Sequence, residues 1–255
     1  MQSMEGSLFT GQNEIYLTEI PSTNIYAMEL LSKTSPPEGT CIFADYQSAG
    51  RGQIGRYWHS EAGKNLLISY IFYPEGLDLS HQFYLNIMSG LALLETVKPY
   101  FASAKLKWPN DVYAGDRKLA GILVQNILRG QHIRATIVGM GLNVNEIQFP
   151  AEVPNPVSLA QLTGTENDLS LIRMQLSKKL EQYYLILKKG KYSQLMTEYR
   201  ENLYRIHKES LFTDADGVSF AGRITGVDEQ GRLQIRHSEN GQLAAYNFRE
   251  ITYVI

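Results

Sequence analysis

Two stretches of this chain concentrate side chains that handle anions. The first is Gln47-Ser-Ala-Gly50-Arg51-Gly52-Gln53-Ile-Gly55-Arg56, with three glycines and two arginines in ten residues. Glycine lets backbone N–H groups approach a phosphate or carboxylate closely, and arginine offers forked donors to the same groups. The spacing is neither the dinucleotide fingerprint nor the P-loop. Glycines also punctuate ordinary surface loops. A site is favoured by the neighbourhood, where Trp58 offers an aromatic face wide enough for a nucleobase and Lys64-Asn65 adds donors. A lone tryptophan is more often core than base platform, and composition leaves both open.

The second stretch is Lys107-Trp108-Pro-Asn110-Asp111, followed by Arg117-Lys118-Leu-Ala-Gly121. A cation, an amide and a carboxylate meet at a strand-to-strand corner, and a lysine enters the next strand beside small residues that admit a ligand. Asp111 beside phosphate-binding cations could hold Mg²⁺, which takes one or two carboxylates plus phosphate oxygens and water. It could equally cap a turn, and Lys107 and Lys118 could be solvated surface side chains. In Gly139-Met-Gly141-Leu-Asn143, the asparagine could read an adenine edge or close the strand. Other chemistries find little support: the histidines at 59, 81, 132, 207 and 237 show no metal-ligand spacing, and no Gly-x-Ser-x-Gly elbow occurs.

These residues need a sheet to hold them. Alternation predicts a strand over Glu14 to Ile20, and Ser22 offers a cap for a helix carrying Ile25, Met28, Leu30 and Leu31. The apolar run Cys41 to Ala44 and the strand Asn65 to Phe72 flank the glycine-rich loop. Ser80 is expected to cap a helix running to Pro99, with Phe83, Ile87, Leu91, Leu94 and Val97 against the sheet. Ala104 to Trp108, Val112 to Ala114, Lys118 to Ile127 and Ile133 to Asn143 should pair as antiparallel hairpins. After a proline-punctuated connection from Phe149 to Pro156, Ser170 is expected to cap a helix stopping at Gly190, and a second helix runs to about Tyr204. From Glu209 onward, short stretches at Val218 to Val227, Arg232 to His237, Leu243 to Tyr246 and Glu250 to Val254 suggest a small β-barrel.

Size and charge bound the answer. A chain of 255 residues, 44% hydrophobic, can bury a full core as one large domain or two unequal ones. A formal net charge of -2 and a pI near 6.2 supply no global attraction to nucleic acid. The single cysteine, Cys41, sits in an apolar run and is expected to be a buried small hydrophobe. Neither a targeting segment nor a membrane span is evident, so a soluble cytoplasmic protein is expected.

Taken in order, Gly50-Arg-Gly52 with Gly55-Arg56 and Trp58, Lys107-Trp-Pro-Asn-Asp111, Arg117-Lys-Leu-Ala-Gly-Ile-Leu-Val124 and Gly141-Leu-Asn143 resemble the biotin protein ligase family, also called biotin-[acetyl-CoA-carboxylase] ligase or holocarboxylase synthetase. The resemblance implies an α+β fold: a mixed β-sheet flanked by helices, as in class II aminoacyl-tRNA synthetases and biotin–lipoate ligases, with a small C-terminal SH3-like β-barrel. It divides the chain into a catalytic biotin- and ATP-binding domain over 1–206 and an SH3-like domain over 207–255. The implied activity is ATP-dependent formation of biotinyl-5'-AMP and transfer of biotin to a lysine of a biotin carboxyl carrier protein domain. A lipoate-type adenylating ligase and a non-catalytic biotin sensor are the alternatives.

By the same resemblance, Lys118 and Arg51 are the catalytic cations. Ser22, Thr23, Asn24, Gln47, Gly50, Arg51, Gly52, Lys118 and Gly121 fall on the biotin side. Arg56, Trp58, Asn110, Asp111 and Asn143 fall on the ATP side, with Mg²⁺ at Asp111. Two departures stand out: Gln53 where the family often has arginine, and Gln125 after Leu-Val where it often has glutamate. The loop from Gln47 to Gly63 is expected to order on ligand. About a dozen residues precede the first strand, so the DNA-binding helix-turn-helix of some bacterial members is not expected, nor a sequence-specific DNA or membrane partner; a monomer or homodimer is implied.

Overall fold

The computed structural model describes residues 7–50, 52 and 57–255. In chain order the elements are β1 (Glu14–Ile20), α1 (Thr23–Lys33), β2 (Cys41–Gln47), β3 (Leu66–Phe72), a 3₁₀ turn at Leu79–His81, α2 (Phe83–Val97), β4 (Lys105–Lys107), β5 (Asp111–Ala114), β6 (Arg117–Arg129) and β7 (His132–Leu142). There follow α3 (Leu159–Thr163), α4 (Leu169–Lys188), α5 (Tyr192–Glu201), β8 (Glu209–Asp214), β9 (Ser219–Val227), β10 (Leu233–His237), β11 (Leu243–Tyr246) and β12 (Ile251–Tyr253). The first seven strands form one mixed sheet, ordered β1-β2-β3-β7-β6-β5-β4, parallel only between β1 and β2.

Alternation along the central strands divides the apolar side chains between two layers. Ile68, Tyr70 and Phe72 of β3 and Val138, Met140 and Leu142 of β7 face a large core under α2, on which α4 and α5 pack. Ile71, Ile137 and Ala135 point the other way, to a smaller cluster closed by Ala27 and Leu31 of α1. Helix α1 has only eleven residues, so it covers part of that second face and leaves the rest, at its own N-terminal end, for another purpose. Cys41 is fully buried, and burial pushes its thiol up to about 12, which suits a packing role.

Several expected helix ends move. Ser80 lies inside the 3₁₀ turn, and α2 begins at Phe83 after Gln82. Asp168, not Ser170, caps α4: its carboxylate accepts from Ser170 N at 2.8 Å and Leu171 N at 3.1 Å, and a carboxylate also suits the positive helix end. The helix expected to reach Tyr204 ends at Glu201. Helix α3 was not expected, although Ser158-x-x-Gln161 forms a reciprocal capping box and Gly164, with φ 75°, stops the helix.

The C-terminal strands make a second, antiparallel sheet ordered β11-β10-β9-β8-β12. It shares the main core: Trp108, from the corner between β4 and β5, donates its indole N–H to Gly231 O at 2.9 Å and meets Phe248 edge-on. Arg200 of α5 donates to Val227 O at 2.6 and 3.0 Å. Among the described residues, no helix is long and apolar enough to cross a membrane.

Candidate functional site

The uncovered part of the α1 face is built from backbone. Gly121 and Gly141 pair across β6 and β7, with Gly139 two residues along the same face. A Cβ at Gly121 would come within 3.2 Å of the Trp58 ring, and one at Gly141 would run into that ring. The bare backbone therefore forms a floor on which an aromatic plane lies flat, and this is why glycine is needed there. Trp58 is half-buried, and its indole N–H is buried without an acceptor among the described residues. Gly50 and Trp58 close the base of the glycine-rich loop, Trp58 N donating to Gly50 O at 3.0 Å; a Cβ at Gly50 would lie 2.6 Å from Trp58 O. Gly52 is half-buried within the loop, whereas Arg51, Gln53 and Arg56 lie outside the described residues.

One edge of the floor is the N-terminus of α1, where a polar network is packed at high density. Ser22, Thr23 and Asn24 are all at least nine-tenths buried. Ser22 occupies the cap position, but its side chain makes no capping hydrogen bond. Gln47 Oε1 accepts from Thr23 N at 2.7 Å and lies 3.1 Å from Thr23 Oγ1. The Ser69 hydroxyl lies 2.7 Å from Thr23 Oγ1 and 2.6 Å from Asn24 Oδ1. Asn24 Nδ2 donates to Gln125 Oε1 at 2.8 Å and to Leu123 O at 3.3 Å. Gly139 makes room for this: a Cβ there would collide with Asn24 Oδ1.

On the opposite edge stands the Lys118–Asp111 pair. Lys118 Nζ lies 2.7 Å from Asp111 Oδ1 and 5.6 Å from the Trp58 ring centroid, close above Gly121. A register shift between Val112 and Tyr113 pairs Lys118 with Tyr113 while Asp111 faces Gly121, and the lysine reaches back along the strand. Both side chains are mostly but not fully buried, at 27% and 12% exposure, so a cation is kept at the floor without being sealed from it. An anion arriving here would meet Lys118 already desolvated on one side.

The other expected residues are engaged with backbone. Asn110 Nδ2 donates to Ile122 O at 2.6 Å, clipping the corner to β6. Asn143 Nδ2 donates to Val157 O at 3.1 Å and its backbone N–H to Leu119 O at 3.0 Å, so the strand-closing reading describes its amide in this structure. Lys107 points away from the floor, over the rings of Tyr113 at 5.1 Å and Tyr253 at 4.6 Å. For Mg²⁺, Asp111 is the carboxylate at hand: it is a hard oxygen donor beside the Lys118 cation, which fits a metal that would complete its shell with phosphate oxygens and water.

Ser69 and Gln125 complete the α1 network yet were not among the expected site residues. A second missed group holds the returning limb of the loop. Glu146 is 1% exposed; its Oε1 lies 2.9 Å from His59 Nε2, and its Oε2 accepts from Glu61 N at 3.2 Å and from Asn65 Nδ2. Asn65 in turn accepts from Val144 N at 2.8 Å. Nothing local in the sequence marks this pairing, since its members are brought together only by β3 and β7 lying side by side.

The chain is similar to known proteins. Residues 16–143 match the Biotin/lipoate A/B protein ligase family. The chain is 29% identical over 233 residues to the bifunctional ligase/repressor BirA of Bacillus spizizenii, covering 90% of this chain and 71% of that protein. It is 30% identical over 217 residues to the biotin--[acetyl-CoA-carboxylase] ligase of Mycobacterium tuberculosis, covering 83% and 79%. Among solved structures, the biotin protein ligase from Aquifex aeolicus in complex with biotin and ATP superposes with a TM-score of 0.77 at 26% identity, covering 95% of this chain and 99% of that one.

Proposed function

Because the chain belongs to the Biotin/lipoate A/B protein ligase family, we propose how its site performs the activity that goes with that membership. The enzyme is an ATP-dependent biotin protein ligase. A carboxylate oxygen of biotin attacks the α-phosphorus of ATP, the bond to pyrophosphate breaks, and biotinyl-5'-AMP forms. A lysine amine of a biotin carboxyl carrier domain then attacks the acyl carbon and AMP leaves. Neither step needs a covalent enzyme intermediate, so positioning and charge neutralisation supply the catalysis.

The observation that carries the residue assignment is Lys118, held 2.7 Å from Asp111 over a glycine floor whose far edge is the α1 N-terminus. In this reading the biotin rings lie toward Ser22, Thr23, Asn24 and Gln47, where buried donors and acceptors can meet a cyclic urea. The carboxylate reaches Lys118, which neutralises charge shared between the attacking carboxylate and the α-phosphate. Trp58 offers its face to the adenine, and Arg51 and Arg56 of the loop take the phosphate. Bound with ATP, Mg²⁺ would spread the charge on the phosphates, with Asp111 as its protein oxygen.

Incubation with ATP, Mg²⁺, biotin and a carrier domain, read by intact mass, tests the activity. The carrier should gain one biotin, and lipoate in place of biotin should add nothing. A carrier of unchanged mass would overturn the reading.

A further inference from the structure

We infer that Gln125 is a positioning residue for the biotin half of the reaction, fixing which way the protons point in the Asn24–Ser69–Thr23 chain at the N-terminus of α1. The inference rests on the ligase reading and adds to it a residue that touches no substrate. Each hydroxyl of this chain has a single proton to give. Leu123 O can only accept, so the group of Asn24 that faces it is Nδ2; Gln125 meets the same Nδ2 with its Oε1 at 2.8 Å, and Asn24 Oδ1 faces Ser69. An amide oxygen cannot donate, so the 2.6 Å contact takes the single hydroxyl proton of Ser69. The proton in the 2.7 Å contact between Ser69 and Thr23 then comes from Thr23. Gln47 Oε1, which accepts the Thr23 backbone N–H at 2.7 Å, is at 3.1 Å the more distant acceptor for the Thr23 hydroxyl, so the proton goes to the nearer Ser69 oxygen.

The chain thus leaves a lone pair on Thr23 Oγ1 beside Gln47, whose own Nε2 has no acceptor among the described residues and stays a donor. An acceptor next to a donor matches a ring that carries N–H and C=O side by side, as a cyclic urea does. Gln125 decides whether this polarity holds. Without its oxygen, Asn24 keeps only the 3.3 Å bond to Leu123 O and can turn over. Its Nδ2 would then donate to Ser69, the Ser69 proton would pass to Thr23 Oγ1, and the Thr23 proton would point outward against a ligand N–H. The inner part of the chain is shielded from solvent: Ser69 is fully buried, Thr23 and Asn24 are 3% and 5% exposed, and Gln125 at its outer end is half-buried.

The test uses Gln125→Leu, Gln125→Glu and Ser69→Ala in the full chain, with KM for biotin and for ATP measured separately by pyrophosphate release. Gln125→Leu should raise the biotin KM about tenfold, the order expected for one hydrogen bond turned from favourable to opposed, with kcat and the ATP KM within about twofold. Gln125→Glu keeps an acceptor and should behave as the parent. Ser69→Ala, which removes the proton that links Asn24 to Thr23, should reproduce the leucine variant and serves in its place if that variant does not fold. The inference is overturned if the biotin KM stays at the parent value in Gln125→Leu or Ser69→Ala, if Gln125→Glu is as impaired as Gln125→Leu, or if both KM values rise together. A parent chain that releases no pyrophosphate with biotin would instead be a failure of the ligase reading.

Discussion

In the proposed mechanism Lys118 is the residue on which the chemistry turns, and its environment says what its loss should do. It is paired with one carboxylate, rests against an indole face, and stands above backbone with no side chain beneath it. A cation so placed is pre-oriented for charge that develops only as carboxylate and phosphate approach, so its contribution should fall on the chemical step. Lys118→Ala should therefore lower kcat for adenylate formation by about a hundredfold or more, the order seen when one preorganised charge-stabilising group is removed. The biotin KM should change much less, and pyrophosphate release under saturating substrates checks it. Asp111, left partly buried without its partner, should cost about 1–3 kcal/mol of stability in the same variant, read as a lower melting temperature.

At the scale of elements, β7 and α1 meet with no space to spare. Gly139→Ala places a methyl into Asn24 Oδ1, and the asparagine cannot retreat without leaving Ser69, Gln125 and Leu123. Weakened biotin binding together with about 1–3 kcal/mol of destabilisation is expected, the range typical of overpacking; calorimetric titration with biotin and thermal melting would show both. Helix α4 does a different job. Its Glu181, 6% exposed, accepts three successive backbone N–H groups, from Leu8 at 2.7 Å, Phe9 at 2.8 Å and Thr10 at 2.9 Å, and so pins the segment before β1. Burial by itself would raise this carboxyl, but the three donors outweigh it and hold it below the usual range. A folded pKa below the unfolded one gives stability that is present above about pH 4.5 and lost as pH falls through the folded value. Glu181→Gln should cost about 2 kcal/mol at neutral pH and flatten the acid limb of the stability curve; denaturant melts between pH 3 and 7, a range of roughly neutral to below the carboxylate value, would show whether the two curves converge in acid.

Across the whole molecule, the larger of the two apolar clusters reaches from α2 into both sheets. Phe83 packs against the turn at Gly231, where a Cβ would touch its ring at 2.5 Å, and Trp108 is sealed by Gly231 and Phe248. We propose the division of the chain near residues 206 and 207 as one of chain path, with packing crossing it. Deleting residues 209–255 should therefore lower the melting temperature as well as adenylation, because it bares Trp108 at the corner that leads to Asp111. Full activity in the truncated protein would contradict this. The same contrast separates what the residues announce from what the fold adds. The glycine-rich loop, the corner at Asp111, Lys118 and the helix start at Ser22 were legible because each depends on local backbone chemistry: glycine where no Cβ fits, turn residues at a corner, alternation along a strand. Ser80 and Ser170 misled for the same reason, since several polar residues near a helix start can cap it and only the packed chain selects one. Which side chains share a proton was not legible at all. Asn24 and Gln125 stand 101 residues apart, and the buried Glu146 lies 85 residues from the N–H of Glu61 that it accepts. Strand order and register bring such pairs together, and these are set by the burial of both sheet faces at once, a balance over the whole core that no short stretch of sequence carries.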